Sequence, residues 1–262
     1  MRHFKLTLEY DGTAYHGWQV QPGLATVQGT LEAALAQFAG APVAAMGAGR
    51  TDAGVHAVGQ VASFSADIRL DGRTLRRALN ATLPRDITVR EAVEASPGFD
   101  ARRSATARTY RYTVLQRETP SALWGRFSLH VPQPLDFAAM EEGAAALVGT
   151  HDFSSFRAGS CTARTPVRAV RAVRWSRCGD FWRFHITANA FLQQMVRITV
   201  ATLLEVGRGR RDPGWVAEVM AARDRGVAGK AAPPQGLCLV AVEYGGAEHP
   251  EPCECEEGLP ER

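Results

Sequence analysis

Lysine is nearly absent from this 262-residue chain: Lys5 and Lys230 are the only two, so 28 of the 30 basic residues are arginine. That excludes a surface of compact, strongly hydrated ammonium charges. It leaves planar guanidinium forks, which suit phosphate contacts and base stacking. A GC-rich genome would impose the same bias, so composition leaves nucleic-acid binding open. Cysteine is also scarce and odd in number, at Cys161, Cys178, Cys238, Cys253 and Cys255. None of the spacings gives the paired two-residue gaps of a zinc site or a disulfide framework, and these residues read as reduced thiols. Cys253-Glu254-Cys255 lacks partner ligands, so no metal is expected. Long apolar runs are missing as well. The most apolar stretch, Phe191 to Val206, is broken by Gln193, Gln194, Arg197 and Glu205, and no membrane span is expected. The opening Met1-Arg2-His3-Phe4-Lys5 has no signal-peptide character, which points to the cytoplasm. No G-x-S-x-G elbow, H-E-x-x-H pair or H-x-E with C-x-x-C pattern occurs, so serine-hydrolase and zinc chemistry are unsupported.

What remains is enough for a folded protein. With 45% hydrophobic residues the chain can bury one large core or two modest ones. The formal charge is +3, but residues 247–262 hold six Glu and one Arg, or −5, which leaves +8 on the body. That tail, rich in Pro and Glu, is expected to be disordered.

Phe4, Leu6, Leu8 and Tyr10 alternate with polar residues, the period of a half-buried strand, and Asp11-Gly12 turns the chain. Thr26 caps a predicted helix with Val27, Leu31, Ala34, Leu35 and Phe38 on one face and Gly40 at its end. A strand near Val61–Phe64, a helix through Leu75 and Leu79, and a strand through Ile87, Val89 and Val93 complete a first half. The second half predicts a strand at Tyr110, Tyr112 and Val114 and a helix at Phe137, Met140, Ala144 and Val148. A hairpin across Cys178-Gly179-Asp180, an apolar helix over Phe191–Val206, a helix at 215–222 and a last strand at 237–244 follow. Strands and helices that do not alternate strictly indicate an antiparallel α+β fold. The expected division is 1–104, 105–246 and the tail 247–262.

The segment Gly49-Arg50-Thr51-Asp52-Ala53-Gly54-Val55-His56 concentrates glycine and charge. It is not a dinucleotide fingerprint, since Asp52 stands where glycine is needed, nor a Walker loop, since Val55-His56 replaces Lys-Ser/Thr. No nucleotide cofactor is implied. An Asp beside an Arg on a tight turn either exposes a carboxylate to a substrate or merely shapes the surface, and the residues alone leave both open. His56, four residues beyond Asp52, has no third ligand nearby and reads as structural. Arg197 sits among Val196, Ile198, Val200 and Leu203, where a guanidinium needs a carboxylate or a functional anion. Tyr110 and Tyr112 share one strand face, preceded by Arg102, Arg103 and Arg108. Either they are core tyrosines or they belong to an aromatic and basic surface that stacks bases.

Together these segments resemble the TruA family of tRNA pseudouridine synthases. The similarity lies in Tyr10-Asp11-Gly12-Thr13-Ala14-Tyr15-His16-Gly17-Trp18-Gln19 and in the loop from Ala48 to Ala57. It continues through Phe99–Tyr112, Asp152–Arg157 and Asn189–Arg197. The resemblance implies two similar α+β halves sharing a central antiparallel sheet with a catalytic cleft between them, a homodimer, and no cofactor. It implies a catalytic carboxylate at Asp52, an ion-pair partner at Arg197, base stacking at Tyr110 and an RNA contact at Arg50, with Arg102 and Arg108 as further RNA contacts. The implied substrate is the tRNA anticodon stem-loop at positions 38, 39 and 40. Gln193, Gln194, Thr199 and Cys238 depart from the family pattern beside these positions. A non-catalytic RNA-binding module and a nucleoside glycosidase are the alternative readings.

Overall fold

The computed structural model describes residues 1–245, so the acidic tail lies outside the described residues. Two compact units are present. The first comprises Met1–Thr109 and Cys238–Gly245, and the second Tyr110–Leu237. The division therefore falls five residues beyond the expected boundary at 104, and the last strand returns to the first unit instead of closing the second.

In the first unit the strands are β1 (Arg2–Tyr10), β2 (Met46–Gly47), β3 (His56–Ala66) and β4 (Ile87–Glu94). Strand β5 (Ala105–Gln116) begins here and passes into the second unit, and β10 (Leu237–Tyr244) returns. The order is β4-β1-β3-β10, with β2 pairing the other way along β3. Phe4, Leu6 and Leu8 alternate inward and are fully buried, the period-two consequence of a strand with one wet face. Helix α1 (Val27–Ala39) starts where the Thr26 side chain accepts from the Gly29 N–H and stops at Gly40 in the left-handed region, φ 67°. A Thr cap contributes about 1 kcal/mol, and burying Leu31 and Leu35 about 2 kcal/mol each. Helix α2 (Gly72–Thr82), capped by Asp71, packs Leu75 and Leu79 inward and turns Arg73 and Arg77 to solvent.

In the second unit β5 continues, followed by β6 (Leu129–Val131), α3 (Phe137–Ala145), β7 (Gly149–Asp152), β8 (Val167–Cys178), β9 (Phe181–Ala188), α4 (Met195–Gly207) and α5 (Trp215–Ala222). The strand order is β5-β9-β8-β7. The expected hairpin is β8 and β9, closed at Cys178↔Phe181 with Gly179 at φ 56°. Phe137 of α3 stacks on Trp182 and meets Trp175 edge-on, which fixes the helix on the sheet.

The α+β class holds. The antiparallel expectation needs correction, because β3 pairs with β10 and β5 with β6 in parallel, giving mixed pairing. The apolar helix begins at Met195, not Phe191: Gln194 adopts φ 60°, a left-handed conformation that precedes the first helical turn. No helix among the described residues is long and apolar enough to cross a membrane.

Candidate active site

Between β2 and β3, residues 48–55 form no helix or strand, so something other than backbone ladders must hold them. The Ala48 N–H still donates to the Val61 carbonyl, and then the sheet lets go. The Ala48 carbonyl accepts from Arg108 Nη2 at 2.9 Å and Nε at 3.2 Å. Gln60, fully buried, donates from Nε2 to the Gly49 carbonyl at 2.8 Å while its Oε1 accepts from the Gly49 N–H at 3.4 Å. Thr51 is held twice: its hydroxyl lies 2.8 Å from the Tyr10 hydroxyl, and its carbonyl accepts from the Trp18 N–H at 3.0 Å. The Gly54 N–H donates to the Tyr15 carbonyl, and the Val55 N–H closes a turn onto the Asp52 carbonyl at 3.1 Å. His56 Nδ1 accepts from the Gly12 N–H at 3.0 Å and lies 3.2 Å from Asp11 Oδ1, which fits the structural reading of this buried histidine.

The opening segment Tyr10–Gln19 is thus the other half of this loop. A Cβ on Gly12 would collide with the Val55 carbonyl oxygen. One on Gly17, whose φ is +88°, would stand 2.6 Å from the Thr51 carbonyl oxygen. One on Gly47 would stand 2.5 Å from the Trp18 ring. At Gly12 and Gly17 glycine is required because two backbones touch, and at Gly47 because the Trp18 ring lies where a Cβ would go. Within this frame Asp52 is half-buried and Arg50 exposed. Burial pushes the Tyr10 phenol well above its usual range, with the hydrogen bonds to Thr51 and Gln60 acting in the opposite direction, so the Tyr10 hydroxyl stays protonated.

Arg102 and Arg108 part company. Arg102 is exposed. Arg108 is buried, and beyond Ala48 its guanidinium donates to the Ala105 carbonyl at 3.2 Å and the Arg102 carbonyl at 2.6 Å. A guanidinium committed to three backbone carbonyls inside the fold is a structural element, which argues against the RNA contact expected for it.

In the second unit Tyr110 is nearly enclosed, its ring edge-on to Phe191 with centroids 5.0 Å apart. Tyr112 is fully buried and donates to the Pro233 carbonyl at 2.9 Å. Burial raises the Tyr112 pKa, and the nearby positive charge of Arg197 partly offsets the rise. Arg197 stands in the first turn of α4, half-buried. Its Nε donates to the Ala232 carbonyl at 2.7 Å, and its own carbonyl accepts from the Ala232 N–H at 3.0 Å. Two of the sequence-predicted residues thus lie in the second unit, Tyr110 against Phe191 and Arg197 near Tyr112. Among the departures, Gln193 accepts from Ser160 and from the Ala158 N–H, Thr199 is fully buried, and Cys238 lies opposite His56 in the parallel pairing of β10 with β3.

An open groove of about 440 Å³ in the first unit runs along α1, lined by Val20, Leu24, Ala33, Leu83 and Pro84 among others. None of the candidate residues lines it. Among the described residues no group of three or more His, Cys, Asp or Glu could hold a metal ion.

The segment holding Asp52 is interlocked with a glycine-containing opening segment, and comparison with known proteins gives the class to which the chain belongs. The family model described as tRNA pseudouridine synthase matches residues 7–102 and 144–245, and the chain belongs to that family. Its relatives narrow the class further. The chain is 48% identical over 93% of its length to tRNA pseudouridine synthase A of Myxococcus xanthus, covering 92% of that protein. It is 48% identical over 93% to tRNA pseudouridine synthase A of Geobacter sulfurreducens, covering all of it, and 48% identical over 91% to that of Methylococcus capsulatus, covering 88%.

Proposed function

We propose that this protein isomerises uridine to pseudouridine in the anticodon stem-loop of tRNA, at positions 38, 39 and 40, with Asp52 as its catalytic carboxylate. Family membership and the named relatives support the reaction and its substrate class. The observation that carries the assignment to Asp52 is the density of hydrogen bonds fixing its neighbours Ala48, Gly49, Thr51 and Gly54. A loop secured at that many points is arranged to aim something, and Arg50 and Asp52 are its charged residues.

The reaction breaks N1–C1′, turns the base over and joins C5 to C1′; the C5 hydrogen leaves as a proton and N1 gains one. Atoms and electrons balance with no added group, so the chain's own side chains suffice. Positive charge builds on the sugar as the glycosidic bond breaks, and an ionised carboxylate at C1′ stabilises it as in retaining glycosidases. A uridine inside a stem is out of reach, so it must leave the stack, and an aromatic ring at Tyr110 offsets part of the lost stacking. The resemblance assigns Arg197 the role of an ion-pair partner. A homodimer acting in the cytoplasm is part of the same reading.

The test is release of tritium from tRNA carrying C5-labelled uridine, followed by mapping of pseudouridine in the product. Release with wild-type protein and none with Asp52→Asn is expected. Tight tRNA binding without release from the wild-type protein would leave a non-catalytic RNA-binding module in its place.

A further inference from the structure

Arg108 is the buried cation that the reaction scheme leaves unused. It stands on β5, 7% exposed, and donates four hydrogen bonds to the carbonyls of Ala48, Arg102 and Ala105. The Ala48 N–H still makes a backbone-to-backbone bond to β3, at the Val61 carbonyl, while the Gly49 N–H already turns to the Gln60 side chain, so the arginine grips the point at which the loop leaves the sheet. One residue further on, Gln60 holds both polar groups of Gly49 and reaches Tyr10 at 3.4 Å, and Tyr10 holds Thr51. Gln60 and Tyr10 thus form a buried polar chain that ends at the residue before Asp52, and Arg108 holds the backbone at Ala48, where the same segment begins.

We propose that Arg108, Gln60 and Tyr10 are positioning residues for the isomerisation: they set the backbone that aims Asp52 and make no contact with RNA. The inference rests on the reading of Asp52 as the reacting carboxylate. Physically, a planar fork meeting two carbonyls of different segments fixes direction as well as distance, which a single ammonium cannot do. Misplacement of a reacting group by about 1 Å costs on the order of a hundredfold in rate, so a modest loop shift is visible in turnover while substrate affinity, set by the outer surface, is not altered.

The experiment compares Arg108→Met, Arg108→Lys and Tyr10→Phe with wild type and Asp52→Asn, measuring kcat, KM for tRNA, the salt dependence of binding, melting temperature and hydrogen exchange over residues 47–55. The expected result is a kcat about tenfold or more lower in Arg108→Met, with Arg108→Lys intermediate and Tyr10→Phe lower by about threefold. KM and the salt slope should stay at wild-type values, and exchange in 47–55 should rise. Should Arg108→Met fail to fold, Arg108→Lys and Tyr10→Phe decide by the same readouts. A rise in KM with the salt slope smaller by about one would make Arg108 a phosphate contact and overturn the proposal. Wild-type kcat in the folded variants would overturn it too. If Asp52→Asn itself stays active, the Asp52 reading falls and the catalytic meaning of the chain with it; if Asp52→Asn is inactive while the other variants turn over normally, only the positioning role falls.

Discussion

The segment from Ala48 to His56 in the first unit and the first turn of α4 in the second each carry a charged residue, Asp52 and Arg197, and their backbones are held by different means. A helix fixes Arg197 through its own ladder of hydrogen bonds, supplemented by the reciprocal bonds to Ala232. The Asp52 loop has no ladder, so side chains from β1, β3 and β5 supply the missing partners one polar group at a time: the Thr51 hydroxyl, the Gly49 amide groups and the Ala48 carbonyl. Regular structure tolerates changes around it because each bond is one of many alike. A loop fixed by individual side chains is vulnerable at each of them, and the contrast predicts where mutations act on chemistry and where only on stability.

The sharpest break of that contrast is removal of the two charges themselves. Asp52→Asn preserves shape and backbone, so folding and tRNA binding should stay near wild type while tritium release falls by more than about a hundredfold. Arg197→Met should fall nearly as far, and Arg197→Lys should retain weak activity, since it keeps the charge and loses the fork. The double change Asp52→Asn with Arg197→Met should be no worse than either inactivating single change, because groups that act as a unit are not additive. Additive losses would show that the two work separately.

Glycine offers a finer comparison inside the first unit. Gly17 and Gly40 both hold positive φ, at 88° and 67°, but only Gly17 has backbone where a Cβ would go. Gly40→Ala should cost about 1 kcal/mol of stability from left-handed strain and leave turnover alone. Gly17→Ala carries the same strain and also pushes on the Thr51 carbonyl, so melting temperature and kcat should both drop, the latter by about tenfold. Equal kcat in the two variants would mean that the loop does not transmit the displacement.

Much of this was legible in the chain. Strand alternation at Phe4–Tyr10, the Thr26 cap and the glycine punctuation at Gly40 and Gly179 were each local, so each showed in a short window. The role of the opening segment was not, because Gly12 and Gly17 are explained only by backbone that lies some 35 to 45 residues further along the chain. Arg108 looked like one of a run of surface arginines, since sequence cannot distinguish a guanidinium that reaches water from one that finds three carbonyls. Gln60 did leave a signal: it is the long polar side chain in the apolar run Val58–Phe64, where an unpaired amide would be costly. The return of β10 to the first unit was hidden for the same reason as the glycine contacts, since its parallel partner β3 is far away in sequence.

Exposed arginines should behave differently from Arg108. Arg50→Gln and Arg102→Gln should each weaken tRNA binding and reduce the slope of log affinity against log salt by about one, with kcat at saturating tRNA changing less than KM. An unchanged slope in either variant removes that residue from the phosphate-contacting set.

The smallest effect concerns polar burial that does not serve the reaction. His185 on β9 is 8% exposed, its Nδ1 buried without a hydrogen-bond partner, and its pKa is pushed down to about 3, first by burial and then by the charges of Arg174, Arg111 and Arg183. In the unfolded chain the same ring titrates near its ordinary value of about 6.5. Between those two values the unfolded state takes up a proton that the folded state refuses, so stability falls as pH drops from about 6.5 towards 3, by at most about 1.4 kcal/mol per pH unit. Above pH 7 the ring is neutral in both states and contributes no pH dependence. His185→Gln removes the titrating group, so melting temperature should decline less steeply between pH 6.5 and pH 4.5 than in wild type, while kcat at pH 8 is unaltered. Parallel melting curves for the two proteins across that range would show that the ring is protonated in the folded state after all, with its charge accommodated among the three arginines.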